Sequence, residues 1–251
     1  MPPFDEDKFA VISDIHGNAD ALKAVLEDIR AEEIGSIINL GDHVSGPLAA
    51  RETADILMGT VAVTIRGNCD RAIVESDRAT LGASDRAAIE ELRPEHLDWL
   101  SSLSPMRQIG DIFICHATPN TDEEYWLESV TDDGRARLRD MDEVRAEIGG
   151  IDASLFLCGH SHIARRLDLS GGVTIVNPGS IGCPAFVHDS PEPHVMQMGS
   201  PTASYAVLRR TDAGWRSSIR AVPYDHRRMA NLACQAGRPD WARGVGTGWL
   251  G

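Results

Sequence analysis

FAVISDIHGNADALKAVLEDIRAEEIGSIINLGDH, residues 9–43, decides the fold class. It opens on a short apolar run, FAVIS (9–13), and nears its end on a second, SIINL (36–40). Apolar runs of this length, bounded by polar turn residues, read as buried strands. Between them Leu22, Val25, Leu26 and Ile29 recur at helical spacing, and Asn18 stands where an N-cap belongs. Strand, helix, strand is the repeating unit of α/β architecture.

Further buried strands are expected at VAVTI (61–65), DIFIC (111–115), SLFLC (154–158) and VTIV (173–176). ASYAVLRR and WRSSIRAV flank a Thr-Asp-Ala-Gly stretch and read as an antiparallel hairpin. A short helix is expected over 225–234, and the last residues, 237–251, are expected to pack loosely. Residues 84–103 read as two short helices, the second starting at Pro94 with Leu97, Leu100 and Leu103 inward. Residues 121–148 open on Thr121-x-x-Glu124, a capping-box pattern, and are expected to continue helically through Tyr125, Trp126 and Leu127. Either segment could cover a site. The Pro- and Met-bearing stretch 184–202 reads as a loop that shapes a pocket.

The 251 residues fit one domain, 1–251, and 42% of them are hydrophobic, enough for a sizeable core. No apolar run approaches the ~20 residues that span a membrane. The start, MPPFDEDKFAVISD, lacks the pattern of a secretory signal. The five cysteines form no CxxC pair, which argues against a disulfide framework and a structural zinc site. A reducing cytoplasm is expected. The formal charge of −14 disfavours duplex nucleic acid as a partner, while a local cationic site could still hold a small phosphate.

Polar motifs follow successive strands: Asp14-Ile15-His16-Gly17-Asn18, Gly41-Asp42-His43, Gly67-Asn68-Cys69-Asp70, His116, Gly159-His160-Ser161-His162 and Asn177-Pro178-Gly179-Ser180. The carboxyl ends of strands in open α/β sheets are where ligands bind. Asp14, His16, Asp42, Asn68, His116, His160 and His162 are two carboxylates, one amide and four imidazoles. Nitrogen and oxygen donors without thiolates suit Mn, Fe, Zn, Ni or Co. Asp-x-His and His-x-His place two donors on one side of an extended segment. Seven donors exceed one tetrahedral ion and suit two ions ~3.5–4 Å apart with a bridging carboxylate. Each piece alone is weak; their order along the chain is not.

The order DIHGN, GDHV, RGNCD, CHATP, CGHSH, NPGS resembles the calcineurin-like metallophosphoesterase superfamily over residues 10–180, most of all its small bacterial and archaeal phosphodiesterase branch. The resemblance implies a four-layer α-β-β-α sandwich of two mixed sheets. It implies two divalent ions, Mn foremost, with Fe, Zn, Ni, Co or Mg as alternatives. Asp14, His16 and His162 would hold the first ion, Asn68, His116 and His160 the second, with Asp42 bridging. It implies hydrolysis of a phosphodiester or phosphoanhydride by a metal-bound hydroxide. The substrate would be a small phosphate ester or a nucleotide. Diadenosine polyphosphate hydrolysis, protein Ser/Thr phosphatase activity and a non-catalytic scaffold are the alternatives.

Arg66, Asn68, Cys69 and Asp70 are the candidate catalytic residues, and Asn18, His43 and Arg66 the candidate substrate contacts. The amino end of the helix starting at Ala19 is expected to point at the same region. Two departures from the family pattern stand out. GDHVSGP carries His43 and Ser45 where an acidic residue is common, and Cys69 stands where many members have His. A thiol beside two dications tends toward thiolate and cannot donate a proton, which favours substrates with stable leaving anions. His43, His188 or His194 could supply the proton instead.

Overall fold

The computed structural model describes residues 4–60, 62–190 and 192–250. The chain starts as the motif stretch requires, with β1 (Lys8–Ile12), α1 (Ala19–Ala31), β2 (Ile37–Asn39), α2 (Ala50–Met58), β3 (Val63–Thr64) and α3 (Asn68–Glu75). Val61, where the strand over 61–65 was expected to begin, lies outside the described residues. Then come α4 (Ala83–Glu91), α5 (Pro94–Ser102), β4 (Met106–Ile109), β5 (Ile112–Cys115), β6 (Glu128–Val130), β7 (Ala136–Leu138), α6 (Met141–Ala146) and β8 (Leu155–Leu157). The chain continues with β9 (Arg165–Leu169), β10 (Val173–Asn177), β11 (Ala185–His188), β12 (His194–Gln197), β13 (Ala203–Thr211), β14 (Gly214–Val222), α7 (Arg227–Gln235) and α8 (Pro239–Thr247).

Two five-stranded mixed sheets form the centre, in the orders β14-β13-β1-β2-β3 and β4-β5-β8-β10-β9. Side-chain alternation along β1 builds two layers of core at once. Phe9 and Val11 face the other sheet and pack with Ile38, Leu40, Ile112, Ile114, Leu155 and Leu157. Ala10 and Ile12 face outward onto Leu22, Val25 and Ile29 of α1. On the far side Phe113, Cys115, Phe156 and Cys158 meet Trp126, Leu127 and Val144. Burying each such large side chain contributes roughly 1.5–3 kcal/mol, so the inter-sheet layer dominates the attraction that holds the sheets face to face. The result is the expected α-β-β-α sandwich of two mixed sheets, its far face covered by α6 and by Trp126 and Leu127 just before β6. Among the described residues no helix is long and apolar enough to cross a membrane.

Three segments differ from expectation. Residues 121–127 are not helical: Thr121 Oγ1 accepts from Glu123 N at 3.3 Å, a local turn rather than a capped helix. The chain then turns at Gly134 (φ +72°) into the β6-β7 hairpin, because Asp133-Gly134 supplies the left-handed residue. The stretch 184–202 contains the β11-β12 hairpin. The C-terminal residues are not loosely packed: α8 has Pro239 in its first turn and ends on Gly248 at φ +75°, with Gly244 and Val245 buried. Pro at a helix start and left-handed Gly at its end are ordinary termination signals, masked here by the internal glycines.

Candidate metal centre

Six described non-glycine residues have positive φ: Asp14, His16, Glu33, Asp42, His160 and His162. All but Glu33 are expected metal ligands. A left-handed L-residue is costly and persists where the surrounding structure over-determines it. The cost aims these side chains into one space at the carboxyl ends of β1, β2 and β8.

The donors form two groups sharing Asp42. Asp14, His16 and His162 bring one ligand atom each within 4.8 Å of one another, as do Asp42, His116 and His160. Asp42 Oδ2 lies 3.6 Å from His16 Nε2 and 3.5 Å from His116 Nε2. Asn68 Oδ1 is 3.1 Å from His116 Nε2, placing Asn68 with the second group. All seven expected ligands are therefore brought together.

Backbone carbonyls fix how the imidazoles face. His16 Nδ1 donates to Ser45 O (2.9 Å), His116 Nδ1 to Leu40 O (2.8 Å) and His162 Nδ1 to Cys183 O (2.6 Å). A carbonyl can only accept, so Nδ1 keeps its proton and Nε2 is the nitrogen left for a metal. His160 is reversed: its Nε2 donates to Glu123 O at 3.0 Å, leaving Nδ1 for the centre.

Two observations show that this donor set fits cations. Asp14 Oδ1 is buried with no hydrogen-bond partner. The Nε2 atoms of His16 and His162 stand 3.1 Å apart, although both rings already donate through Nδ1. With His162 Nε2 also 3.4 Å from Asp14 Oδ1, these atoms converge in a way that is stable only around positive charge, a bound cation or a proton on Nε2.

Protonation supplies that charge without metal. Burial alone would lower the pKa of His116, but the Asp42 and Asp14 carboxylates outweigh it and lift it to about 9. His162 rises well above its ordinary value against burial because of Asp14. His160, pushed down by burial and by the His116 charge, falls to about 4. Burial opposes ionisation of Asp42, yet His116, His16 and His160 hold its carboxyl well below the usual range.

RGNCD divides sharply. Gly67 allows close approach, since a Cβ there would lie 2.2 Å from Asp42 Oδ1 and 2.8 Å from His116 Cε1. Asn68 begins α3, and Cys69 N donates to Asp42 Oδ1 at 3.0 Å. The helix whose amino end reaches the centre is thus α3; Asn18 caps α1 and donates to Gly182 O and Tyr224 OH, outside the central cavity.

Asp70 does not line the central cavity and is fully buried. It accepts from the backbone N–H groups of Asp42 (2.8 Å), His43 (3.0 Å) and Gly67 (2.9 Å), tying the two motif loops together. His43 is also fully buried, against Asp70 and the Trp99 ring. Arg66 pairs with Glu75 at 2.6 Å and stays out of the central cavity. Arg165 and Arg166, which follow the double-His motif, pair with Glu128 and Asp168.

Cys69 does line the cavity, and its sulfur groups with His16 and Asp42. Burial and the Asp42 charge push its thiol well above the ordinary value, so it is a neutral thiol in the metal-free centre, not a thiolate. Of the other suggested proton sources, His188 lines the cavity, whereas His194 is bonded to Tyr125 OH at 2.9 Å.

The cavity has a volume of about 380 Å³. Asp85, Phe186, Arg238 and Trp241, which sequence reasoning missed, also line it. Burial and the Asp42 and Asp70 charges raise the pKa of Asp85, whose Oδ1 accepts from Ser45 Oγ at 2.6 Å. None of the four carries a metal-ligand motif, and only the folded chain brings them to the centre. Of the two candidate covering segments, the first turn of α4 and residue 125 reach the cavity; α5 packs against α3 instead.

Sandwich, strand-end donors and motif order together define a metallophosphoesterase. The calcineurin-like phosphoesterase superfamily domain matches residues 8–199, so the chain belongs to that superfamily, whose enzymes hydrolyse phosphoric esters. An uncharacterized protein of Methanocaldococcus jannaschii is 25% identical over 257 aligned positions, covering 92% of this chain and 94% of its own. The crystal structure of a metallophosphoesterase from Sphaerobacter thermophilus superposes with a TM-score of 0.73 at 24% identity, covering 98% of this chain and all of that one. That likeness concerns the fold.

Proposed function

We propose that the protein hydrolyses phosphodiester bonds at two divalent cations, Mn foremost, held by Asp14, His16 and His162 on one side and Asn68, His116 and His160 on the other. Asp42 belongs to both sides. The observation that carries this reading is the Asp42 carboxylate lying at nearly equal distance, 3.6 and 3.5 Å, from one imidazole of each group. Bound there, the cations supply Lewis acidity toward phosphoryl oxygens and a water of lowered pKa as nucleophile.

The chain's own residues set what surrounds the reacting ester. The α3 amino end and Asp70 fix Asp42 and Asn68, and the backbone carbonyls fix the imidazoles. Asp85 and His188 line the cavity and can pass a proton to a leaving oxygen. Cys69 replaces an imidazole donor, which favours esters whose leaving group is already a stable anion. Phosphoanhydrides of the dinucleoside polyphosphate type come second, because they need cations for their remaining phosphates. Arg238 is the one arginine or lysine among the described cavity residues, and Asp240 already pairs with it at 2.8 Å. A −14 charge supports a small substrate rather than duplex nucleic acid or an anionic membrane surface. Free cysteines, three of them buried, support a reducing cytoplasm.

Metal analysis with a turnover assay tests the reading. The protein loaded with Mn²⁺ should hold about two ions per chain and cleave bis-p-nitrophenyl phosphate. Asp42→Ala should lower both metal content and turnover, the latter by more than about 100-fold. Unchanged turnover in that variant, or no divalent ion bound by the native chain, would overturn it.

A further inference from the structure

We propose that the C-terminal helix completes the cavity with a site for a planar aromatic group of the substrate, a nucleobase or an aryl ring, lined by Trp241 and Phe186. The inference rests on the phosphoester reading and adds the chemistry of the ester's organic part.

Four rings run in series beside the first donor group. The Trp241 ring stands 6.0 Å from that of His16, edge to face at 68°. His16 is 4.9 Å from His162, and His162 is 4.5 Å from Phe186. Both outer rings line the cavity that the metal ligands line. A phosphate on the donors would therefore carry its organic group past aromatic surface. Ala83, Ala185, Val187 and Leu250 add apolar surface to the same wall. A volume of about 380 Å³ suits a small organic ligand.

Trp241 is held in place before any ligand arrives. Gly46 leaves room for it: a Cβ there would lie 2.8 Å from the indole Cη2. The indole packs with Ala19, Leu48 and Met229, and Gly244 brings α8 close enough to β11 that a Cβ would lie 2.7 Å from Ala185 O. A ring fixed in this way costs little ordering on binding.

Charge selects against a second anion. Arg238 is clamped by Asp240 (2.8 and 3.1 Å) and donates to Ser84 Oγ at 3.2 Å, while Asp85 adds a further carboxyl. A neutral ring suits this wall better than another phosphate. Trp241 and Arg238 lie beyond residues 8–199, so the superfamily match does not include them.

The test is calorimetric binding of AMP, phenyl phosphate and ribose 5-phosphate to the Mn²⁺-loaded protein. The two aromatic phosphates should bind at least about tenfold more tightly than ribose 5-phosphate. Trp241→Ala and Phe186→Ala should each shrink that ratio, and Trp241→Phe should keep most of it. Tighter binding of AMP than of phenyl phosphate assigns a nucleobase; equal binding of the two assigns any aryl ring. Equal affinity for all three ligands, or a ratio untouched in both alanine variants, would overturn the proposal. Turnover of bis-p-nitrophenyl phosphate by the same preparation separates the two levels. Turnover with equal affinities removes the aromatic site alone, and absent turnover removes the phosphoester reading beneath it.

Discussion

Asp70→Asn removes one charge and almost no volume from the junction of two motif loops. The native carboxylate accepts three backbone N–H groups, Asp42 and Gly67 on Oδ2 and His43 on Oδ1. An amide placed with its oxygen at the Oδ2 position keeps two of them and turns its NH₂ toward the third. One buried N–H then lacks an acceptor, at a cost of ~1–3 kcal/mol, and the two survivors change from a charged to a neutral acceptor, costing about 1 kcal/mol more in all. A total near 3 kcal/mol corresponds to a melting temperature lowered by about 6–12 °C in a chain of this length. Because the same bonds orient Asp42 and the start of α3, metal affinity should fall by ~10–100-fold. Differential scanning calorimetry of the metal-free protein and Mn²⁺ titration of the variant measure the two effects separately. A melting temperature and a metal affinity both unchanged would refute the positioning role. Loss of turnover in that circumstance would instead make Asp70 a catalytic group.

Gly67→Ala should abolish tight metal binding, because its Cβ would meet Asp42 Oδ1 at 2.2 Å with backbone 2.7 Å away; native Mn²⁺ stoichiometry in the variant would contradict the steric argument. Metal loading should release protons at pH 7, since His116, at about 9, and His162 are protonated in the metal-free protein and must give up their protons to ligate. Affinity should therefore climb as pH rises from 6 toward 9. Calorimetry in buffers of different ionisation enthalpy reads the proton count, and a count of zero at pH 7 would contradict the charge assignment.

What the sequence by itself determined was the local part. Alternating strand and helix patterns, with the Asp, His and Asn residues that follow the strands, were enough for the α/β class and for the seven candidate donors that the fold brings together. Both signals are short-range: burial periodicity writes strands and helices, and metal chemistry restricts which residue types can stand at a strand end. The helical reading of 121–148 failed at its start because Trp126 and Leu127 pack into the far core from an irregular segment. Their apolarity is legible, but the backbone they pack from is not. Tertiary structure alone decided which polar residues face the centre. Arg66 and Asp70 lie within four positions of Asn68, yet Glu75 holds one aside and buried backbone N–H groups hold the other. Trp241 and Arg238, more than seventy residues beyond the last donor, reach the cavity because α7 and α8 fold back across α1 and the loop carrying Gly46. Such placement follows from long-range packing, which no local pattern encodes.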